Sequence, residues 1–201
     1  MARPAAEIVG VQDRVLEGVS QIAIVVGASL FVALCARIVL PLPFTPVPLT
    51  LQNFGVLLVG LALGSRRGFA ALALYLAEGL VGMPVFSPTG PGGLAQLLGP
   101  TGGFLLSYPL VAGIAGWIFE TNLLGSKLGA AKKGFARAAG ACFLAEICLF
   151  VCGLSWLAIL THSFATAVRF GLYWFVFAEI LKIMSAAALA NGWQRFHKVQ
   201  Q

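Results

Sequence analysis

Glu179 and Lys182 lie three residues apart inside the apolar stretch 166–190. That spacing puts both side chains on one helix face, within reach of each other. Ionisable groups in such a run are costly to desolvate and face a bundle interior rather than lipid. The pair is either a structural ion pair that fixes helix packing or the polar floor of a binding site. A buried pair gives little net stability, which favours the second reading. In that role Lys182 holds a substrate carboxylate. Glu179 accepts N–H donors from a polar head group, or balances Lys182 while the site is empty.

Other polar residues fall near the same apolar runs. Gln52 and Asn53 open one run, and Gln96 sits in an uncharged segment; amides both donate and accept, as an amide or ureide ligand requires. Gln52 serves equally well as a helix-start cap. Arg37 either snorkels to an interface or adds positive charge at the mouth of a site. Glu78 lies near the outer end of a run, Glu120 at a solvated end, and Glu146 deeper, facing either Lys182 or another span. Tyr75, Tyr108, Trp156, Tyr173 and Trp174 offer flat apolar walls, or a core and interface belt. No catalytic set emerges. His162 and His197 fall on opposite faces, and no Ser–His–Asp pattern, metal-ligand spacing or Walker loop is present. Cys148 and Cys152 share a helix face without a third ligand and read as packing residues.

The elements that hold these residues follow from composition. With 59% hydrophobic residues, 10% charged and a mean hydropathy of +0.93, the chain is expected to be one all-α polytopic membrane domain over residues 1–201. Six spans are expected, at 19–40, 49–63, 69–82, 104–119, 136–160 and 166–190. The polar stretch before 19 lacks a signal-peptide pattern. Four prolines in 41–48 end the first span and hold the chain extended. Gly64–Gly68 reads as a tight basic turn. Residues 83–103 carry no charge, four prolines and many glycines, so they cannot form a regular span. Irregular backbone at membrane depth must be buried in protein or line a cavity; this stretch is read as a lid. The net charge of +6 does not signal nucleic-acid binding, because the basic residues are dispersed. Arg3, Arg14, Arg66, Arg67, Lys127, Lys132, Lys133, Arg137, Arg195 and Lys198 fall on one side of the six-span scheme, and only Arg37 and Arg169 on the other. The positive-inside rule then places both termini in the cytoplasm and both Pro/Gly-rich loops outside. Gly27, Ser29, Ala33 and Ala36 give the first span a small-residue surface, either for internal packing or for docking a second membrane protein.

Four stretches, PLPFTPVPLTLQ (41–52), LALGSRRG (61–68), GMPVF (82–86) and LLGPTGGFLLSYP (97–109), resemble the BioY family in sequence and in order. Members are biotin-specific substrate-binding (S) components of energy-coupling factor (ECF) transporters, and the resemblance covers roughly residues 20–191. It implies a six-helix fold in the plasma membrane that binds biotin from outside, with no cofactor and no metal. It also implies partners: a BioN-like transmembrane coupling subunit and BioM-like ATPase subunits. The family's acid-x-x-Lys near the end of the last span matches Glu179 and Lys182, with Glu in place of the more frequent Asp. Members commonly carry Arg or Asn between the PVF and GPTGG motifs; here Ser87–Gly93 has neither, so that contact is expected either to be missing or to come from Thr89, Gln96 or Arg37. Phe86 of the PVF motif joins the expected substrate-binding set, with Gln52, Trp156 and Tyr173. The small-residue surface of the first span matches the alanine-rich face that meets the coupling subunit. Two other readings remain: an S component for another small vitamin, and an intramembrane enzyme using Glu179 and Lys182 as acid and base. A homo-oligomer is left open.

Overall fold

A computed structural model describes the backbone of residues 3–121 and 130–199, and the side chains of 16–121 and 134–193. The helices are α1 (Arg3–Arg37), α2 (Gln52–Leu80), α3 (Gly93–Leu98), α4 (Gly102–Glu120), α5 (Ala130–Thr161), α6 (Phe164–Gly171) and α7 (Val176–Val199). The all-helical expectation needs one small amendment. β1 (Val39–Leu40) and β2 (Leu49–Thr50) pair antiparallel on either side of the proline-rich loop.

Among the described residues, four stretches can cross a membrane by length and composition: Leu16–Cys35, Gln52–Leu80, Gly102–Glu120 and Gly134–Thr161. The α6–α7 pair, bent by 51°, makes a fifth if it counts as one span. The span expected at 166–190 is therefore broken. Ser163 caps α6, its Oγ accepting from Thr166 N at 3.3 Å, and Leu172 (φ −121°, ψ −56°) leaves the helical region. Phe175 then restarts the helix, its carbonyl accepting from Glu179 N at 2.9 Å.

The segment α2 is not one rod. Gln52 Nε2 lies 2.7 Å from Tyr75 Oη, whereas a straight helix would separate these residues by roughly 35 Å. The chain folds back at Gly64, whose φ of 80° and ψ of −178° belong to a region only glycine adopts readily. The expected turn at Gly64–Gly68 is thus real, and its start is capped from another helix. Glu120, at the end of α4, accepts from Ser65 N at 3.2 Å and Ser65 Oγ at 3.0 Å. Helix α4 packs against both arms through small residues. A Cβ on Gly60 would lie 2.5 Å from the Ala112 carbonyl, and one on Gly116 would lie 2.5 Å from the Gly64 carbonyl carbon. Such close approach is how helices gain packing contacts in a medium with no hydrophobic drive.

On the first helix the small-residue surface divides between internal packing and exposure. Ser29 and Ala36 are fully buried, and Ser29 Oγ donates to Glu78 of α2. Gly27 is exposed with nothing near it, and Ala33 packs against the core. The four residues do not form one exposed docking face, because the helix turns Ser29 and Ala36 toward α2. The side chains of Arg3, Arg14, Lys127, Lys132, Lys133, Arg195, His197 and Lys198 lie outside the described residues.

Replacing Gly64 tests the fold-back. A Cβ there would sit 1.8 Å from Glu120 Oε1. Gly64→Ala is expected to cost roughly 2 kcal/mol or more, read as a lower apparent Tm in detergent. An unchanged Tm would show that the turn tolerates a side chain.

Candidate ligand-binding site

The start of α2, the restart at α7 and the two glycine- and proline-rich loops converge on one chamber. Val47 and Pro48 come from the first loop, Ser87, Gln96 and Thr101 from the second, Gln52 and Asn53 from α2, and Glu179 and Lys182 from α7. Phe104, Tyr108, Phe150 and Phe175 supply its apolar wall. The chamber holds about 60 Å³. A second space of about 300 Å³ lies above it, between Pro41–Pro48 and Thr89–Thr101, and shares Pro48, Gln96 and Thr101 with the first. The two spaces read as vestibule and inner chamber.

The polar floor is a buried network. Lys182 Nζ donates to Glu179 Oε1 at 2.7 Å, and both residues are under a tenth exposed. Asn53 Nδ2 donates to Glu179 Oε2 at 2.7 Å and to Glu146 Oε1 at 2.5 Å. Glu179 sits in the first turn of α7, where the positive end of the helix dipole favours its charge. The break before α7 therefore both bends the span and seats the acid.

The lid is tied down from several helices. Tyr75 Oη accepts from Gln52 and donates to the Val85 carbonyl at 2.9 Å. Phe86 stacks edge-on to Tyr75, with centroids 5.4 Å apart, and rests on Gly79. Gln96 Oε1 accepts from Gly92 N at 3.1 Å, and Trp156 Nε1 donates to the Gly99 carbonyl at 3.0 Å. Ser87 and Thr89 hydroxyls lie 3.0 Å apart. Thr45 Oγ1 ties the first loop to the Phe170 carbonyl at 2.7 Å.

The expected site residues thus divide. Gln52, Gln96, Glu179 and Lys182 line the inner chamber, and Thr89 lines the vestibule. Phe86 and Trp156 hold the lid from behind and do not wall the cavity. Arg37 is exposed at the end of α1 and lines neither space. Tyr173 is a correction: it is 69% exposed and packs edge-on against Trp174, because it falls in the outward-facing turn between α6 and α7. Sequence reasoning left Glu146 undecided and passed over Ser87, Thr101, Phe104, Phe150 and Phe175. An acid in an apolar run was the available signal for Glu146. The aromatic residues carried none, since many such positions are ordinary core.

The fold and the site define a helical membrane protein closed around a small polar-floored chamber. The BioY family profile matches residues 7–198, and the chain belongs to the BioY family. It is 34% identical over 149 residues to a "Probable biotin transporter BioY" of Pyrococcus horikoshii, covering 74% of this chain and 82% of the relative. It is 36% identical over 151 residues to the "Biotin transporter BioY" of Thermotoga maritima, with coverages of 74% and 82%. The Rhizobium etli "Biotin transporter BioY" is 32% identical over 166 residues, with 82% and 87% covered. In fold, the chain is similar to a crystal structure of the S component for biotin from an ECF-type ABC transporter. That match has a TM-score of 0.76 at 22% identity and covers 89% of this chain and 93% of the other.

Trp156→Phe keeps the apolar bulk and removes one donor from the Gly99 carbonyl. A lost hydrogen bond of about 1 kcal/mol raises local opening roughly fivefold. Hydrogen–deuterium exchange of the amides in 92–103 is expected to quicken, with α2 unaffected. Unaltered exchange there would show that Trp156 does not anchor the lid.

Proposed function

We propose that this chain captures biotin from outside the cell as the S component of an ECF-type transporter in the plasma membrane. The observation that carries this reading is the Glu179–Lys182 pair buried at the floor of a chamber roofed by two uncharged loops. Family membership supplies the ligand, through relatives that carry the name biotin transporter.

Charge balance orients the ligand. Glu179 and Lys182 neutralise each other, and Glu146 adds a further carboxyl group nearby. A ligand carboxylate at this floor would be desolvated beside the Glu179 carboxylate and a Lys182 already paired to it, a cost that a neutral ureide avoids. The ureide offers N–H donors to Glu179 and a carbonyl to Lys182, and the carboxylate tail points up the vestibule. This reverses the sequence expectation that Lys182 holds the carboxylate. Ligand sites span roughly 300 Å³ or more, so binding joins vestibule and chamber by parting Pro48 from Gln96 and Thr101.

The fold-back at Gly64 and the bent α6–α7 pair support six spans, and the excess of basic residues on one side of that scheme supports cytoplasmic termini. The α2 arms are short for a bilayer, and short, interrupted spans border binding sites in other transporters. Release inward is driven by a coupling subunit with ATPases, because this sequence has no nucleotide loop of its own. The enzyme alternative lacks support. Among the described residues no three His, Cys, Asp or Glu gather, and relatives are named as transporters.

Equilibrium binding of radiolabelled biotin to the purified chain tests the assignment; absence of tight one-to-one binding removes biotin in favour of another vitamin. Lys182→Ala is expected to weaken biotin and biotin amide by the same factor, on the order of tenfold to a hundredfold. A larger loss for biotin than for the amide would return the carboxylate to Lys182.

A further inference from the structure

Glu146 is 4% exposed on α5, and the ligand scheme above gives it no contact with the ligand. Its Oε1 accepts from Asn53 Nδ2, and the same nitrogen donates to Glu179 Oε2. Both amide hydrogens are thereby spent on two different carboxyl groups. Two buried atoms in this network have no partner: Asn53 Oδ1 and Glu146 Oε2. Both are acceptors if Glu146 is ionised, so neither can satisfy the other. One proton on Glu146 Oε2 changes this. It makes that atom a donor, and Asn53 Oδ1 is the acceptor left wanting one. Acid and amide then form a reciprocal pair, C=O to N–H and O–H to O=C.

Charge and surroundings agree. With both acids ionised, the cluster holds two negative charges and only Lys182 to oppose them. Behind the pair, between α5 and α7, lies a groove of about 440 Å³ walled by Phe143, Ile147, Phe150, Ile180 and Ile183. Those side chains offer a carboxylate no hydrogen bond, and an unpaired charge in such a medium is costly. The titratable groups facing Glu146 are Glu179 and Lys182 on α7, Tyr108 on α4 and Cys142 one turn earlier on α5. Helix α2 presents Asn53, and α6 carries only the exposed Arg169.

We infer that Glu146 is a neutral carboxylic acid at physiological pH and that, through Asn53, it positions Glu179 toward the ligand chamber. The proton stays within the pair. On deprotonation, Glu146 cannot donate to Asn53 Oδ1, and its negative charge faces Glu179 across the amide. Asn53 then no longer fixes the Glu179 carboxylate, and ligand capture weakens as pH rises. This positioning role rests on the biotin reading; the protonation of Glu146 does not.

Infrared spectroscopy of the ligand-free purified chain reads the acid directly. At neutral pH a protonated-carboxyl C=O band, shifting in heavy water, is expected in the wild type and is absent from Glu146→Gln. A wild type without the band, or a band surviving the substitution, overturns the inference. Biotin binding then reads the positioning. As the pH is raised the wild-type affinity falls, whereas that of Glu146→Gln, which donates to Asn53 at every pH, stays flat. Glu146→Gln is also expected to bind at least ~fivefold tighter than Glu146→Ala, the worth of one recovered hydrogen bond. Parallel pH profiles for wild type and Glu146→Gln would show that the dependence does not arise at Glu146 and overturn the role. If the infrared band is present and no form binds biotin, the ligand reading fails and the acid assignment stands.

Discussion

Keeping an ammonium and a carboxylate together at membrane depth is the constraint on which the rest of this structure depends. Lys182 and Glu179 neutralise each other at 2.7 Å, but neither charge is tolerable in hydrocarbon without further partners. The second carboxylate oxygen of Glu179 is taken by Asn53, delivered from the first turn of α2. The α7 backbone contributes through its helix start, which exists because the last span breaks at Leu172–Phe175. The fold-back at Gly64 serves the same end. It returns the chain so that Tyr75 meets Gln52, next to Asn53, and links the floor of the chamber to the lid carbonyl of Val85. A broken helix, a reversed helix and an anchored loop are thus consequences of one buried pair.

Much of this was legible in residue types. Glu179 and Lys182 stood out because charge is rare in such runs, and the 41–48 and 83–103 loops stood out because proline and glycine forbid regular spans there. The turn at Gly64 was visible as glycine beside arginines. What stayed hidden depends on rotation and on distance along the chain. Ser29 and Ala36 form a small-residue surface on paper, yet the phase of α1 points them into α2, where Glu78 accepts from Ser29. Nothing in the one-dimensional pattern fixes that phase. The Asn53–Glu146 and Asn53–Glu179 bonds join residues from three helices distant in sequence, and only packing brings them together. The break before α7 has no proline to announce it. Tyr173 misled for the same reason, since it was read as part of a continuous helix.

The roof shows how closure and access coexist. Each loop is fastened to a helix behind it: the first to α6 through Thr45, the second to α2 through Tyr75 and to α5 through Trp156. Among the described residues, no hydrogen bond joins 41–48 to 83–103 directly. Pro48, Gln96 and Thr101 line both spaces, so vestibule meets chamber there. Proline contributes no donor there, so no backbone bond must break for the loops to part. The fastenings therefore lie away from the place where the two spaces meet: each half of the roof is held by its own helix, and neither depends on the other for a hydrogen bond.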